Sequence, residues 1–321
     1  MTNDDKLLIV GGCGFIGTNL ITLLNRSGFH NITVFDNESV GKREYLADLK
    51  VSRFIHGDVR NRKAVNAAIK GHHAVILLAA QTNVIKSIED PAHDFDINIQ
   101  GGLNLLQASA KNKIDRFVFA SSAAPVGMQP PPMREDLAPC PASPYGASKL
   151  AMEGYCSAFY HSYGLKTIAL RFSNCYGPGS KNKSSVVAHF MKKVLDREPL
   201  VVYGDGEQTR DFVYVDDLCE AIRLALGSPI KNQPEEKTFG QVYQIATGVE
   251  TPLKTLNALL TDLVTSTSDM TVDIRYEAAR AGEIIRNYAD PSRFKSVFGF
   301  DPQVSLADGM ERTWNYFRNT P

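Results

Sequence analysis

Leu7-Leu8-Ile9-Val10 runs directly into Gly11-Gly12-Cys13-Gly14-Phe15-Ile16-Gly17, and then into residues 16–24, whose apolar side chains recur at helical spacing. Few folds accept a buried strand, a glycine turn and an amphipathic helix in that order. Glycines at 11, 14 and 17 permit a tight turn, approach of the backbone to a pyrophosphate and close helix packing, with the anion at the positive end of the helix. The pattern predicts a strand–turn–helix that holds a dinucleotide. Asp36 follows the next apolar run, 32–35, where a carboxylate accepts hydrogen bonds from the adenosine ribose and repels a 2′-phosphate. NAD is therefore the expected cofactor, while the nearby Arg43 keeps NADP open. Asp58, in Gly57-Asp58-Val59, either caps a helix or holds the adenine amino group.

Strand-length apolar runs at 7–10, 32–35, 52–55, 74–78, 117–120 and 167–170 alternate with helical stretches such as 16–24 and 99–110. That alternation predicts an α/β fold of Rossmann type, a doubly wound parallel sheet covered on both faces. After Arg171 the chain turns to Gly/Pro-rich loops with shorter elements, which predicts a smaller C-terminal α/β substrate lobe. The expected division is a cofactor-binding domain over 1–173, with 212–248 returning to it, and a substrate lobe over 174–211 and 249–321. Helical pieces are expected at 253–264 and 306–317, while 216–226 and 242–245 are regular enough to return to the sheet.

The 35 Lys and Arg balance 35 Asp and Glu, so no overall field gathers nucleic acid or an anionic membrane, and an anionic ligand must be held by local geometry. With 43% hydrophobic and 22% charged residues the chain has the composition of a folded globular protein. Cys13, Cys140, Cys156, Cys175 and Cys219 are odd in number and scattered, with no His/Cys grouping at ligand spacing; they read as reduced thiols, and no metal is expected. The opening Met-Thr-Asn-Asp-Asp-Lys is acidic where a secretory leader is basic, and no apolar run approaches the roughly 20 residues of a membrane span. A cytoplasmic protein is expected.

Tyr145 and Lys149 form Tyr-x-x-x-Lys, which sets both side chains on one helix face, a turn apart. Ser143-Pro144 starts that helix, and Ser121-Ser122 ends the preceding strand at the sheet edge where α/β ligands bind. A free phenol has a pKa near 10, too high for a base at neutral pH; a neighbouring ammonium and a nicotinamide charge favour the phenolate. Ser122 is placed to hold the reacting hydroxyl. Ser122, Tyr145 and Lys149 are the candidate catalytic group.

These residues, with Leu78-Ala79-Ala80-Gln81, Asn98, Ser121-Ser122-Ala123, Arg171-Phe172-Ser173-Asn174-Cys175-Tyr176-Gly177-Pro178 and Tyr203-Gly204-Asp205-Gly206-Glu207-Gln208-Thr209-Arg210-Asp211-Phe212, resemble the extended short-chain dehydrogenase/reductases that act on nucleotide sugars. The pattern is most similar to the UDP-glucose and UDP-N-acetylglucosamine 4-epimerases and spans nearly the whole chain. The resemblance implies cofactor contacts from Phe15, Ile16, Asn37, Asp58, Val59, Ala79, Ala80, Gln81 and Asn98, together with Tyr145 and Lys149. It implies substrate contacts from Ser87, Ser122, Asn174, Val187, Arg210, Arg280, Asn287 and Asp290. Asn174, Arg210 and Arg280 would meet the nucleotide diphosphate, which suits guanidinium forks. A UDP-sugar is the implied partner, and a homodimer through helices near 99–110 and 146–163 the implied assembly.

Ala123-Ala124-Pro125-Val126-Gly127 departs from the family's Ser-Ala-x-Val-Tyr-Gly: Pro125 removes a backbone donor and Val126 lacks the usual phenol, which predicts a reshaped sugar pocket. A 4,6-dehydratase resembling the family would carry an Asp-Glu pair after the active-site hydroxyl, where this chain has Ala123 and Ala124. The expected reaction is 4-epimerisation through a transient 4-keto sugar. UDP-glucuronate decarboxylation, 4-keto-sugar reduction and a non-catalytic NAD-binding scaffold are the alternatives. Asn287 falls where family members vary bulk around the 2-acetamido group, and a residue smaller than Tyr predicts that the group is admitted.

Overall fold

The computed structural model describes residues 2–227, 233–279 and 284–319. Six strands of the first half are β1 (Leu7–Val10), β2 (Ile32–Asp36), β3 (Arg53–His56), β4 (Ala74–Leu77), β5 (Arg116–Ser122) and β6 (Thr167–Phe172). The helices among them are α1 (Phe15–Arg26), α2 (Arg62–Ala68), α3 (Val84–Glu89), α4 (Pro91–Phe95), α5 (Gly101–Lys111) and α6 (Pro144–Tyr163). The second half holds β7 (Asn174–Tyr176), α7 (Val186–Leu195), β8 (Leu200–Tyr203), β9 (Thr209–Arg210), β10 (Phe212–Tyr214), α8 (Val215–Leu226) and β11 (Gln241–Ile245). It ends with β12 (Thr251–Pro252), α9 (Leu253–Thr267), β13 (Ile274–Glu277), α10 (Ser292–Phe298) and α11 (Leu306–Asn319).

Seven strands form one parallel sheet in the order β3-β2-β1-β4-β5-β6-β11. Strand β1 is buried along its whole length because helices cover both faces. Leu7 and Ile9 point to the side carrying α1 and α8, while Leu8 and Val10 point to the side of Leu105, Leu106 and Met152 from α5 and α6. Each such side chain contributes roughly 1.5–3 kcal/mol by leaving water. The strand order reverses between β1 and β4, and the crevice at their C-terminal ends is where an open α/β sheet accepts a ligand.

Residues 212–248 return to the sheet only in part. Strand β11 adds to β6, and α8 packs on α1, whereas β10 pairs in parallel with β7 outside the main sheet. The remaining short strands pair as β9 with β12 and β8 with β13, and α11 packs on α7 and α9 with Trp314 fully buried.

The helix expected over 99–110 is interrupted at its start: residues Asp96–Gln100 form a widened π turn before α5 begins at Gly101. An extra residue in that turn swings Asn98 inward, where its amide bonds the Gln81 backbone and the side chains of Asp94 and Ser148. No helix among the described residues is long and apolar enough to cross a membrane.

Candidate active site

Gly11 leaves β1 at φ +87°, and a Cβ there would lie 2.5 Å from the Ala79 amide nitrogen, so this crossing of β1 past the end of β4 needs glycine. Gly14 is the N-cap of α1, and the first-turn amides of Phe15, Ile16 and Gly17 have no intrahelical acceptor. No acidic residue stands in that turn, which leaves a positive helix end beside the crevice. Asp36 closes β2 and already accepts from the Cys13 amide at 2.9 Å and the Glu38 amide at 2.8 Å, fixing its carboxylate at the rim. Asp58 accepts from Asn37 and from both the backbone and side chain of Arg60, and the Arg60 guanidinium holds its carboxyl well below the usual carboxylate range. Val59 is buried beneath, its carbonyl bonded to Asn104. Ala79, Ala80 and Gln81 follow β4, half-buried across the crevice from the glycine turn.

Ser143 starts α6 by accepting the Gly146 amide at 3.1 Å, with Pro144 in the first helical position. This sets Tyr145 and Lys149 on the helix face toward β5. The Tyr145 phenol lies within reach of the Ser122 side chain, whose hydroxyl accepts the Ala124 amide at 3.2 Å. The Lys149 Nζ donates to the Ala120 carbonyl at 2.8 Å and lies 5.8 Å from the Tyr145 ring centre. Burial pushes the Tyr145 phenol up, opposed by Ser122 and reinforced by Asp94. The same burial lowers Lys149 to about 8 against the pull of Asp94 and Glu153. The phenol is desolvated, and the ammonium is turned to a carbonyl of β5.

On the substrate side, Asn174 opens β7 and donates its side-chain amide to the Asp211 carbonyl at 3.2 Å. The Arg210 Nη1 bonds the carbonyls of Thr209 and Ile284, tying β9 to the C-terminal segment. Asp211 binds that wall together, accepting from the amides of Thr247, Gly248 and Ala289 and from the Thr247 hydroxyl. Asn287 is half-buried on the same segment. Asp290 accepts the Ser292 amide at 2.9 Å in the turn that leads into α10. Arg280 lies outside the described residues.

Two residues expected to contact the substrate sit in the interior. Ser87 is fully buried, donating to the Val84 carbonyl at 2.6 Å and accepting the Tyr145 amide at 3.2 Å, so its hydroxyl braces the start of α6. Val187 is packed in the apolar core under α7. Val126, which stands where the family carries a phenol, is wholly enclosed with Met133, Ala246 and Ala289. That departure is absorbed by an apolar cluster instead of opening onto the cleft.

The family model described as "NAD dependent epimerase/dehydratase family" matches residues 7–246. The chain belongs to that family. As an epimerase/dehydratase-family enzyme it takes NAD, and the glycine turn, the first-turn amides of α1 and the Asp36 carboxylate fit that cofactor. Arg43, which left NADP open, lays its guanidinium over Phe54 at 5.0 Å. Among its relatives, a putative UDP-glucose 4-epimerase of Methanocaldococcus jannaschii is 33% identical over 98% of both chains. The crystal structure of UDP-glucose 4-epimerase with UDP-glucose from Thermotoga maritima superposes with a TM-score of 0.86 at 34% identity, covering 98% of this chain and 99% of that one. A UDP-N-acetylglucosamine 4-epimerase from Methanobrevibacter ruminantium, in complex with UDP-N-acetylmuramic acid, superposes at 0.89 with 30% identity over the whole of both chains.

Two carboxylates that act on this family member's Tyr145–Lys149 pair escaped the sequence reading. Asp94, 1% exposed, bonds Gln81 and Asn98 and acts electrostatically on both Tyr145 and Lys149. Glu153 acts on Lys149 from the next turn of α6. The signal for Glu153 was present as a second four-residue step after Lys149. Asp94 arrives from a separate helix and left no local signal.

Proposed function

We propose that the chain is a nucleotide-sugar 4-epimerase that interconverts a UDP-hexose or UDP-N-acetylhexosamine and its C4 epimer through a transient 4-keto sugar. The observation that carries this reading is the buried Tyr145 phenol beside Ser122 at the end of β5, with the Lys149 ammonium a turn further along α6 and bonded to the Ala120 carbonyl at 2.8 Å. NAD bound at the crevice supplies a hydride acceptor and donor, and its ring charge favours the phenolate. Tyr145 Oη takes the proton of the C4 hydroxyl and returns it after the 4-keto sugar has turned its other face. Ser122 Oγ holds the reacting oxygen in line, and the Lys149 ammonium offsets the charge that develops on Tyr145. Ala123 and Ala124 offer no acid or base, which favours epimerisation over dehydration in a family that contains both.

Arg210 and Asn174, with Arg280, are the proposed diphosphate contacts, and Asn287 borders the position of the sugar's C2 substituent. The cofactor half is 1–173 with 212–248, and the sugar half 174–211 with 249–321. Exposed Phe95 and Tyr155 on the α4–α6 side support a homodimer through α5 and α6. Incubation with UDP-glucose, UDP-N-acetylglucosamine and their galacto isomers, followed by isomer separation, tests the reading. Interconversion without net NADH is expected, and its absence with all four sugars contradicts the proposal. Asn287→Tyr is expected to depress turnover of the N-acetylated sugar more than of the plain hexose; equal effects would remove Asn287 from the specificity argument.

A further inference from the structure

Tyr145, Lys149 and Glu153 follow one another at four-residue steps on α6, so Glu153 shares the face that meets β5. Its carboxylate is 4% exposed and is gripped by Arg171, itself 3% exposed. Arg171 donates Nε to Oε1 at 2.9 Å and Nη2 to Oε2 at 2.7 Å, and the Ser121 hydroxyl donates to Oε1 at 2.5 Å. Ser121 and Arg171 are register partners on β5 and β6, and Gln244 is the partner of Arg171 on β11. A polar row therefore crosses three strands one residue before Ser122, beneath the helix that carries Tyr145.

Stability alone is a weak reason for such a group. Replacing a buried ion pair with apolar side chains of similar volume is often neutral or stabilising. Here, among the described residues, the Arg171 Nη1 and both side-chain amide atoms of Gln244 are buried without a hydrogen-bond partner, which adds to the cost. What the bidentate pair does supply is direction: a fork-to-fork bond between α6 and β6, with a third bond to β5, fixes both the rotation and the slide of α6. Ser87 braces the other end of the same helix through the Tyr145 amide.

We propose that Glu153 and Arg171 are positioning residues that clamp α6 onto β5 and β6, holding the Tyr145 hydroxyl at Ser122 and the Lys149 ammonium beneath the Ala120 carbonyl. The inference rests on the acid/base reading of Tyr145 given above. Glu153 also contributes charge at Lys149. The groups facing that ammonium are Asp94 from α4, Tyr145 and Glu153 from α6, and the Ala120 carbonyl and Phe119 ring from β5. Arg171 and, beyond it, Glu135 complete the charged set around the clamp.

Glu153→Gln keeps the shape and removes the charge; Glu153→Leu with Arg171→Met replaces the pair by apolar volume. Three measurements are made on each holoenzyme: Tm, kcat and KM for the nucleotide sugar, and the Lys149 titration from the ε-13C lysine resonance that disappears in Lys149→Met. Glu153→Gln is expected to lower kcat by about 10- to 100-fold, with KM changing by less than about threefold, and to move the Lys149 midpoint to lower pH. The double variant is expected to recover the wild-type Tm while kcat and the midpoint stay altered. A double variant with wild-type Tm, kcat and midpoint would overturn the clamp. If the wild-type protein turns over no nucleotide sugar, the functional reading fails by itself, and an unchanged Lys149 midpoint in folded Glu153→Gln still overturns the positioning role.

Discussion

Tyr145 is a buried phenol beside a buried ammonium, and burial opposes the ionisation of both. Tyr145→Phe removes only the hydroxyl, so turnover is expected to fall by roughly 10²- to 10⁴-fold while NAD stays bound; retained turnover would take the proton transfer away from this residue. Lys149 has a stability consequence with a definite sign. Burial lowers it from 10.5 to about 8, so the unfolded chain binds more protons between those values and stability rises with pH across that window. Below about pH 8 the buried ammonium costs on the order of 3 kcal/mol. Lys149→Met is therefore expected to be inactive yet more stable than wild type at pH 7 in urea unfolding, with the gap closing toward pH 10.5. A less stable variant at pH 7 would contradict this. Tyr145 and Lys149 were legible in sequence because four-residue spacing is a local property. Asp94 and the Ser87–Tyr145 bond were not, because both depend on how α3 and α4 pack on α6.

At the scale of elements, the turn between β1 and α1 makes two demands on its glycines. Gly11 has a positive φ and faces the Ala79 backbone, whereas a Cβ on Gly14 would meet only the Gly11 carbonyl, at 3.4 Å. Gly11→Ala is expected to cost about 2 kcal/mol or more of stability. Gly14→Ala is expected to stay within about 1 kcal/mol, and to lose most of the thermal stabilisation by NAD because the added methyl stands at the helix end. Thermal unfolding with and without NAD separates them; equal losses in both would show that the turn is merely structural. Strand runs and the glycine turn could be read because burial on both faces leaves unbroken apolar segments. The π turn at Asp96–Gln100 could not, since one extra residue in a turn barely disturbs helical periodicity yet decides where Asn98 points.

Over the whole molecule, zero net charge gives no general attraction for anionic ligands, so the α1 helix end is what suits the cofactor's pyrophosphate, and arginines such as Arg210 are the proposed contacts of the nucleotide sugar. Assembly is a separate matter. Tyr155→Asp, on the exposed side of α6, is expected to convert a dimer to a monomer in gel filtration, and an unchanged elution volume would exclude this face as the interface. The central claim concerns the C4 centre of the sugar and is tested there. UDP-hexose or UDP-N-acetylhexosamine deuterated at C4 is incubated with the enzyme, and the product is examined by NMR. The account predicts the C4 epimer with the deuterium still on C4 and no net NADH. Recovery of unchanged substrate, or of a product whose C4 deuterium has been lost, would contradict it.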